Sequence, residues 1–181
     1  MSRINPVTRE TTNEPLRQTF AAIQKHLGVV PNMMRTMAQA PAVLDAYLAF
    51  GAALRKGLLP ATLQEQIALA VAEANACDYC LSAHSALGRA AGLSVDDVAA
   101  SREGRASDRK AAAALQFARA LVDRRGAVTE QEFGRVRAAG FSDGEIAEVI
   151  AHVALNVFTN YFNRAVHTDI DFPVVTAGQL A

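Results

Sequence analysis

Apolar residues recur along this chain at helical intervals, and the punctuation between them is that of helix ends. Leu16, Phe20, Ile23 and Leu27 share one helical face between a start signal at Asn13-Glu14-Pro15 and a stop at Gly28. Val29-Val30-Pro31-Asn32 reads as a connector, followed by a short helix over 33–39. Pro41 opens the next helix, with Val43, Leu44, Tyr47, Leu48 and Leu54 at helical spacing and Gly57 as its close. After the break at Leu58-Leu59-Pro60, Thr62-Leu63-Gln64-Glu65 has the form of a capping box. It leads into Ile67 to Val71, an apolar run that predicts burial on nearly all sides. Asn75-Ala76 ends that helix, and another is predicted from about Cys77 to Gly92. Ser94-Val95-Asp96-Asp97 opens a short helix, and 108–125 forms a long one stopped by Gly126. Thr129-Glu130-Gln131-Glu132 and Ser142-Asp143-Gly144-Glu145 are two further capping signals. No segment alternates with period two, so strands are not supported. The expected fold is all-α, a single domain over 1–181, with 1–12 as an extended N-terminal arm.

The last long helix breaks its apolar pattern with His152, Asn156, Asn160, Asn163 and His167, which fall within about 80° of one another at helical pitch. Buried polar groups need partners, so this stripe faces either a structural hydrogen-bonding contact or a functional cleft. The layout of 128–163 also repeats that of 59–87, a capped helix feeding a strongly apolar one. That pattern fits a duplicated hairpin and two ordinary hairpins equally well.

Composition narrows the function classes. Lys plus Arg and Asp plus Glu are equal at 18 each among 181 residues, which leaves no net field for nucleic acid or an anionic membrane. The N-terminal ten residues lack the apolar core of a secretory signal, and no apolar run reaches the roughly 20 residues that span a bilayer. The expected location is cytoplasmic, where a lone C-x-x-C pair is catalytic or metal-binding more often than structural. Alanine carries much of the apolar content, and its small side chains suit close contacts in a homo-oligomer.

Both cysteines and one histidine lie within Cys77-Asp78-Tyr79-Cys80-Leu81-Ser82-Ala83-His84. On a helix these three fall within about 60°, with His84 one turn after Cys80. A helix beginning near Cys77 puts both thiols in its first turn, where unpaired N–H groups favour thiolate. His84 is placed to accept a thiol proton or to stabilise the thiolate, and its i, i+4 spacing favours Cys80. A base of this kind is usually oriented by a third group. Glu65 and Glu73 both qualify, and spacing alone prefers neither, because Glu65 is equally explained as the capping-box residue. A zinc site needs a fourth ligand from His152 or His167. Covalent haem is excluded because Leu81 stands where a histidine is required. Two inert buried cysteines form the remaining structural reading.

The segments Glu65 to Val71 and Asn75 to His84 resemble the AhpD-like alkylhydroperoxidase family of the carboxymuconolactone decarboxylase superfamily. The likeness continues at Gly28 to Met34, at Pro41, at Asn160-Tyr161-Phe162-Asn163-Arg164 and at Asp171-Phe172-Pro173, which is similar to the peroxidase-related branch. The resemblance implies a domain of about eight helices, assembled in trimers or hexamers, with the C-x-x-C at a helix N-terminus. It implies a disulfide-forming peroxidase with no cofactor and no metal, using an external dithiol or thioredoxin-like reductant. By position it makes Cys80 the peroxide-attacking thiol and Cys77 the resolving, more accessible one. His84 and Glu65 become the proton relay, which selects Glu65 over Glu73. Tyr79 departs from the best-known members, which carry a histidine there; a phenol donates a hydrogen bond but is no base near neutrality. The expected function is peroxide reduction through a Cys77/Cys80 dithiol–disulfide cycle. A thiol–disulfide oxidoreductase and a non-catalytic redox-sensing oligomer are the alternatives.

Overall fold

The computed structural model describes residues 2–8 and 10–179, and the described residues are helical throughout with no strand. Nine helices follow in order: α1 Glu14–Leu27, α2 Asn32–Met37, α3 Pro41–Leu54, α4 Ala61–Ala74, α5 Asp78–Ala90, α6 Val95–Arg102, α7 Arg109–Asp123, α8 Glu130–Ala138 and α9 Asp143–Val166. The all-α expectation holds, with one helix more than the approximate eight.

The centre of the fold is α4. Its run from Ile67 to Ala72 is almost wholly excluded from solvent, and it packs against α5, α6, α7 and α9. On one side Ile67, Ala70 and Val71 join Leu115, Phe117, Val136 and Val149 in a core shared by α7, α8 and α9. On the other, Leu69 and Ala72 meet Met33, Met37, Leu44, Cys80 and Leu81. Small alanines on α4 let its neighbours approach on every side, which is why the amphipathic stripe of a surface helix is missing here.

Helix ends follow the sequence signals in most places. Ser94, Thr129 and Ser142 each close a reciprocal capping box with the acid three residues on. The box expected at Thr62–Glu65 does not form. Helix α4 begins two residues earlier, at Ala61, with Pro60 in the N-cap position and no side-chain cap. Thr62 is therefore already inside the helix, and the Glu65 carboxylate is left free to turn into the interior.

The link from α4 to α5 is only three residues long. Cys77 N donates to Ala72 O and Ala76 N to Glu73 O, the paired bonds of a Schellman closure, with Ala76 left-handed at φ 50°. Cys77 then serves at once as the N-cap of α5, its sulfur accepting from Cys80 N at 3.3 Å. Side chains of α9 pin this link: Asn75 Nδ2 donates to Asn160 Oδ1 and Arg164 Nη1 to Asn75 O.

The chain ends lie across the same region. In the N-terminal segment Arg3 N donates to Val166 O and Val7 N to Arg35 O. At the other end Asp171 accepts from the first N–H of α2 and Phe172 packs edge-on against Tyr79. Beyond it Val175 N donates to Ser82 Oγ, and Arg102 donates to Thr176 O.

Candidate active site

Both cysteines are free thiols and both are buried, Cys77 at 1% exposure and Cys80 at 2%. The resolving position is thus no more accessible than the attacking one, contrary to what the resemblance implied. The reason is the Schellman link, which folds Cys77 into the core at the start of α5, against which Ile170 and other residues of the C-terminal segment also pack. The two thiols lie within hydrogen-bonding reach, and the bond polarises them in opposite directions. Donation to Cys80, reinforced by burial, pushes the Cys77 thiol up. Burial opposes ionisation of Cys80, but the Cys77 hydrogen bond, the charge of His84 and the amides of Asn163 and Asn160 outweigh it and bring Cys80 down to about 7. The thiolate therefore belongs to Cys80.

His84 stands one turn along α5, and its Nδ1 pairs with Glu65 Oε2 at 2.8 Å. Burial disfavours the imidazolium, yet the Glu65 carboxylate more than compensates, so His84 is held above its ordinary pKa. Glu73 is engaged elsewhere: it pairs with the buried Arg102 at 2.8 Å and accepts from Gly178 N. Geometry thus joins His84 to Glu65 and gives Glu73 a structural partner.

The polar stripe of α9 turns inward over this pair. Asn163 Nδ2 donates to Cys80 Sγ at 3.3 Å and to Met33 Sδ at 3.1 Å, while its Oδ1 is buried without a partner. His152, Asn156 and Asn163 all line one cavity of about 200 Å³ with Cys80, His84 and Glu65. His167 does not belong to the stripe. It caps α9 in a left-handed turn at φ 55°, with its side chain exposed, because the helix has ended one residue before it.

Much of the remaining cavity wall is apolar, with Leu27, Val29, Pro31, Met34, Leu54, Leu87 and Phe172 among its residues, and Arg55, Gln64 and Thr159 also line it. Tyr79 sits beneath it, its hydroxyl oxygen accepting from Met33 N at 3.2 Å, and burial pushes its phenol up, so it stays neutral. Tyr47, which the sequence placed only among core positions of α3, also faces the cavity and is pushed by burial up to about 12. Asn163 as a donor to the thiol was equally unassigned. Its signal was the stripe itself, whose reading left structural and functional roles open. Among the described residues no group of three or more His, Cys, Asp or Glu gathers as a metal ion would require, and no helix is long and apolar enough to cross a membrane.

A buried dithiol at a helix start, a carboxylate-paired histidine and an all-helical frame define a class, and comparison with known proteins agrees with it. Residues 41–123 match the model of the carboxymuconolactone decarboxylase family. The chain is similar to an AhpD-core, peroxidase-related protein from Ralstonia eutropha JMP134, at 27% identity over 94% of this chain and 92% of that one, with a TM-score of 0.84. A peroxidase-related protein from Silicibacter sp. TM1040 shares the fold at 22% identity, over 99% of this chain and 96% of that one, with a TM-score of 0.82. The debrominase Bmp8 is similar at 25% identity over 93% and 91% of the two chains, with a TM-score of 0.80. No curated protein matches the sequence. The chain is AhpD-like in fold, and its segment from α3 to α7 is what matches the carboxymuconolactone decarboxylase model.

Proposed function

We propose that this protein reduces organic or hydrogen peroxides through a Cys77/Cys80 dithiol–disulfide cycle, in cytoplasmic antioxidant defence and as a homo-oligomer. The observation that supports this most directly is the Glu65–His84 pair beside a thiol whose pKa is lowered and whose sulfur accepts from Asn163. Cys80 thiolate attacks one peroxide oxygen, the O–O bond breaks, and Cys80 becomes a sulfenic acid. The departing alkoxide takes a proton from His84 imidazolium and leaves as the alcohol. Cys77 then attacks the sulfenic sulfur. The S–S bond forms, and hydroxide leaves as water with the proton that Cys77 gives up through His84. An external dithiol or thioredoxin-like protein reduces the disulfide and restores both thiols. General acid–base assistance of this type contributes about 10² to 10⁴ in rate.

Cys80→Ser is expected to abolish peroxide consumption. Cys77→Ser is expected to consume one equivalent and stall at a sulfenic acid that dimedone traps. Steady turnover by Cys80→Ser sinks the assignment.

The compact apolar cavity also favours a second reading, in which the same dithiol removes a halogen from an organic ring, giving C–H, halide, a proton and the disulfide. Similarity to a debrominase lends it weight. Halide release from a brominated ring exceeding peroxide consumption would select it.

A further inference from the structure

The cavity over Cys80 extends far beyond the reacting sulfur. Asn163 and His152 both line it and are separated by roughly 16 Å of α9 at about 1.5 Å per residue. The part beside the thiol is accounted for by Cys80, His84 and Asn163. His152 has no task in the peroxide cycle. It is buried with its Nε2 unpartnered, and a buried polar atom left so calls for a reason. Arg55, the C-cap of α3, also lines the cavity and forms no ion pair among the described residues. Its Nη1 lies 3.2 Å from where a Cβ on the buried, cavity-lining Gly51 would stand, so the guanidinium folds back along α3 through space that a glycine leaves open.

The acids that face His152, Glu148 and Glu65, are already held. Glu148 accepts from Leu58 N and Leu59 N, and Glu65 is bound to His84. Gln64 donates its amide to Leu59 O. Among the described residues Arg55, which also reaches solvent, His152 Nε2 and the Tyr47 hydroxyl line the cavity without a protein partner, and the guanidinium suits a carboxylate, which arginine recognises through two parallel N–H bonds. Most of the remaining wall is hydrocarbon, interrupted by Tyr47, Asn156 and Thr159. A cavity of about 150 Å³ holds one benzene ring, so about 200 Å³ takes an apolar body of roughly six to eight carbons.

We propose that Arg55 and His152 form a distal carboxylate subsite, and that the substrate is a compact hydroperoxy acid with its hydroperoxy group at Cys80 and its carboxylate at Arg55. The hydroperoxy half of this assignment rests on the peroxidase reading; the carboxylate half stands on the cavity alone.

Calorimetric titration of the reduced full chain with hexanoate, and separately with hexan-1-ol, tests the subsite without any turnover. Hexanoate is expected to bind at least about tenfold more tightly, one ion-paired hydrogen bond being about 1.5–3 kcal/mol. Arg55→Gln and His152→Gln should each narrow the gap, and Cys80→Ser should keep it. Equal binding of acid and alcohol, binding of neither, or a gap that survives both substitutions overturns the proposal. A circular-dichroism melt of each variant confirms that it folds. Should hexanoate be preferred while no hydroperoxide is consumed, the subsite stands and the peroxidase reading falls.

Discussion

Replacing Asn163 by leucine separates thiolate stabilisation from folding. Its Nδ2 donates to Cys80 Sγ at 3.3 Å, deep in the protein, while its Oδ1 finds no partner. A hydrogen bond to a charged acceptor contributes about 1.5–3 kcal/mol, or about one to two pKa units at about 1.4 kcal/mol each. Cys80 is held at about 7, against 9.0 for an ordinary thiol, with Asn163 third among the groups that lower it. The lower end of the range is therefore expected, a midpoint near 8. At pH 7 the thiolate fraction then falls from about one half to about one tenth. A more basic thiolate is also a better nucleophile, with a Brønsted slope of about 0.4–0.5, so a single alkylation rate at pH 7 would hide most of the change. The midpoint must be measured, by thiolate absorbance at 240 nm across pH 5 to 10. Cys77, pushed upward, stays silent in that window. Leucine is nearly isosteric and removes an unpaired buried oxygen, so stability should change by less than about 1 kcal/mol. A folded Asn163→Leu protein whose midpoint stays near 7 would falsify this account of the thiolate.

Glu65→Gln should lower the pKa of His84, deplete the imidazolium and move the Cys80 midpoint upward. Glu73→Gln should leave that titration in place and instead cost about 3 kcal/mol in denaturant unfolding, because it strands the buried Arg102. Ala76→Gly relieves a left-handed alanine, worth about 1–2 kcal/mol, against about 0.5–1 kcal/mol of added chain entropy. A net gain of about 0.5–1 kcal/mol is expected in urea melts, and a loss would show that the turn is not strained. Gly51→Ala should raise Tm by improving α3, about 0.5–1 kcal/mol, while displacing Arg55 and weakening any preference for hexanoate over hexanol.

Most of the frame was legible because the helix signals are local. Capping boxes at Ser94, Thr129 and Ser142 need only residues three apart, and the apolar run of α4 announces its own burial. The capping box expected at Thr62–Glu65 was read by the same rule and failed, because Pro60 starts α4 early and a tertiary partner, His84, competes for the carboxylate. Spacing could not choose between Glu65 and Glu73, since which acid meets His84 depends on how α4 and α5 cross. The relative burial of the cysteines was hidden for a similar reason. It is set by the Schellman link and by a C-terminal segment about a hundred residues away in sequence.

The stripe on α9 shows why such a site is hard to read from pattern alone, and why it is worth reading. Two of its members, His152 and Asn163, each keep a buried polar atom without a partner in the chain. At roughly 1–3 kcal/mol apiece these would be severe defects in a helix selected only for packing. Both line the cavity that Cys80 and Arg55 share, along a wall that is mostly hydrocarbon. Hydrophobic replacement there should stabilise the fold and impair the chemistry, because the groups that weaken the empty core are those that meet a polar ligand.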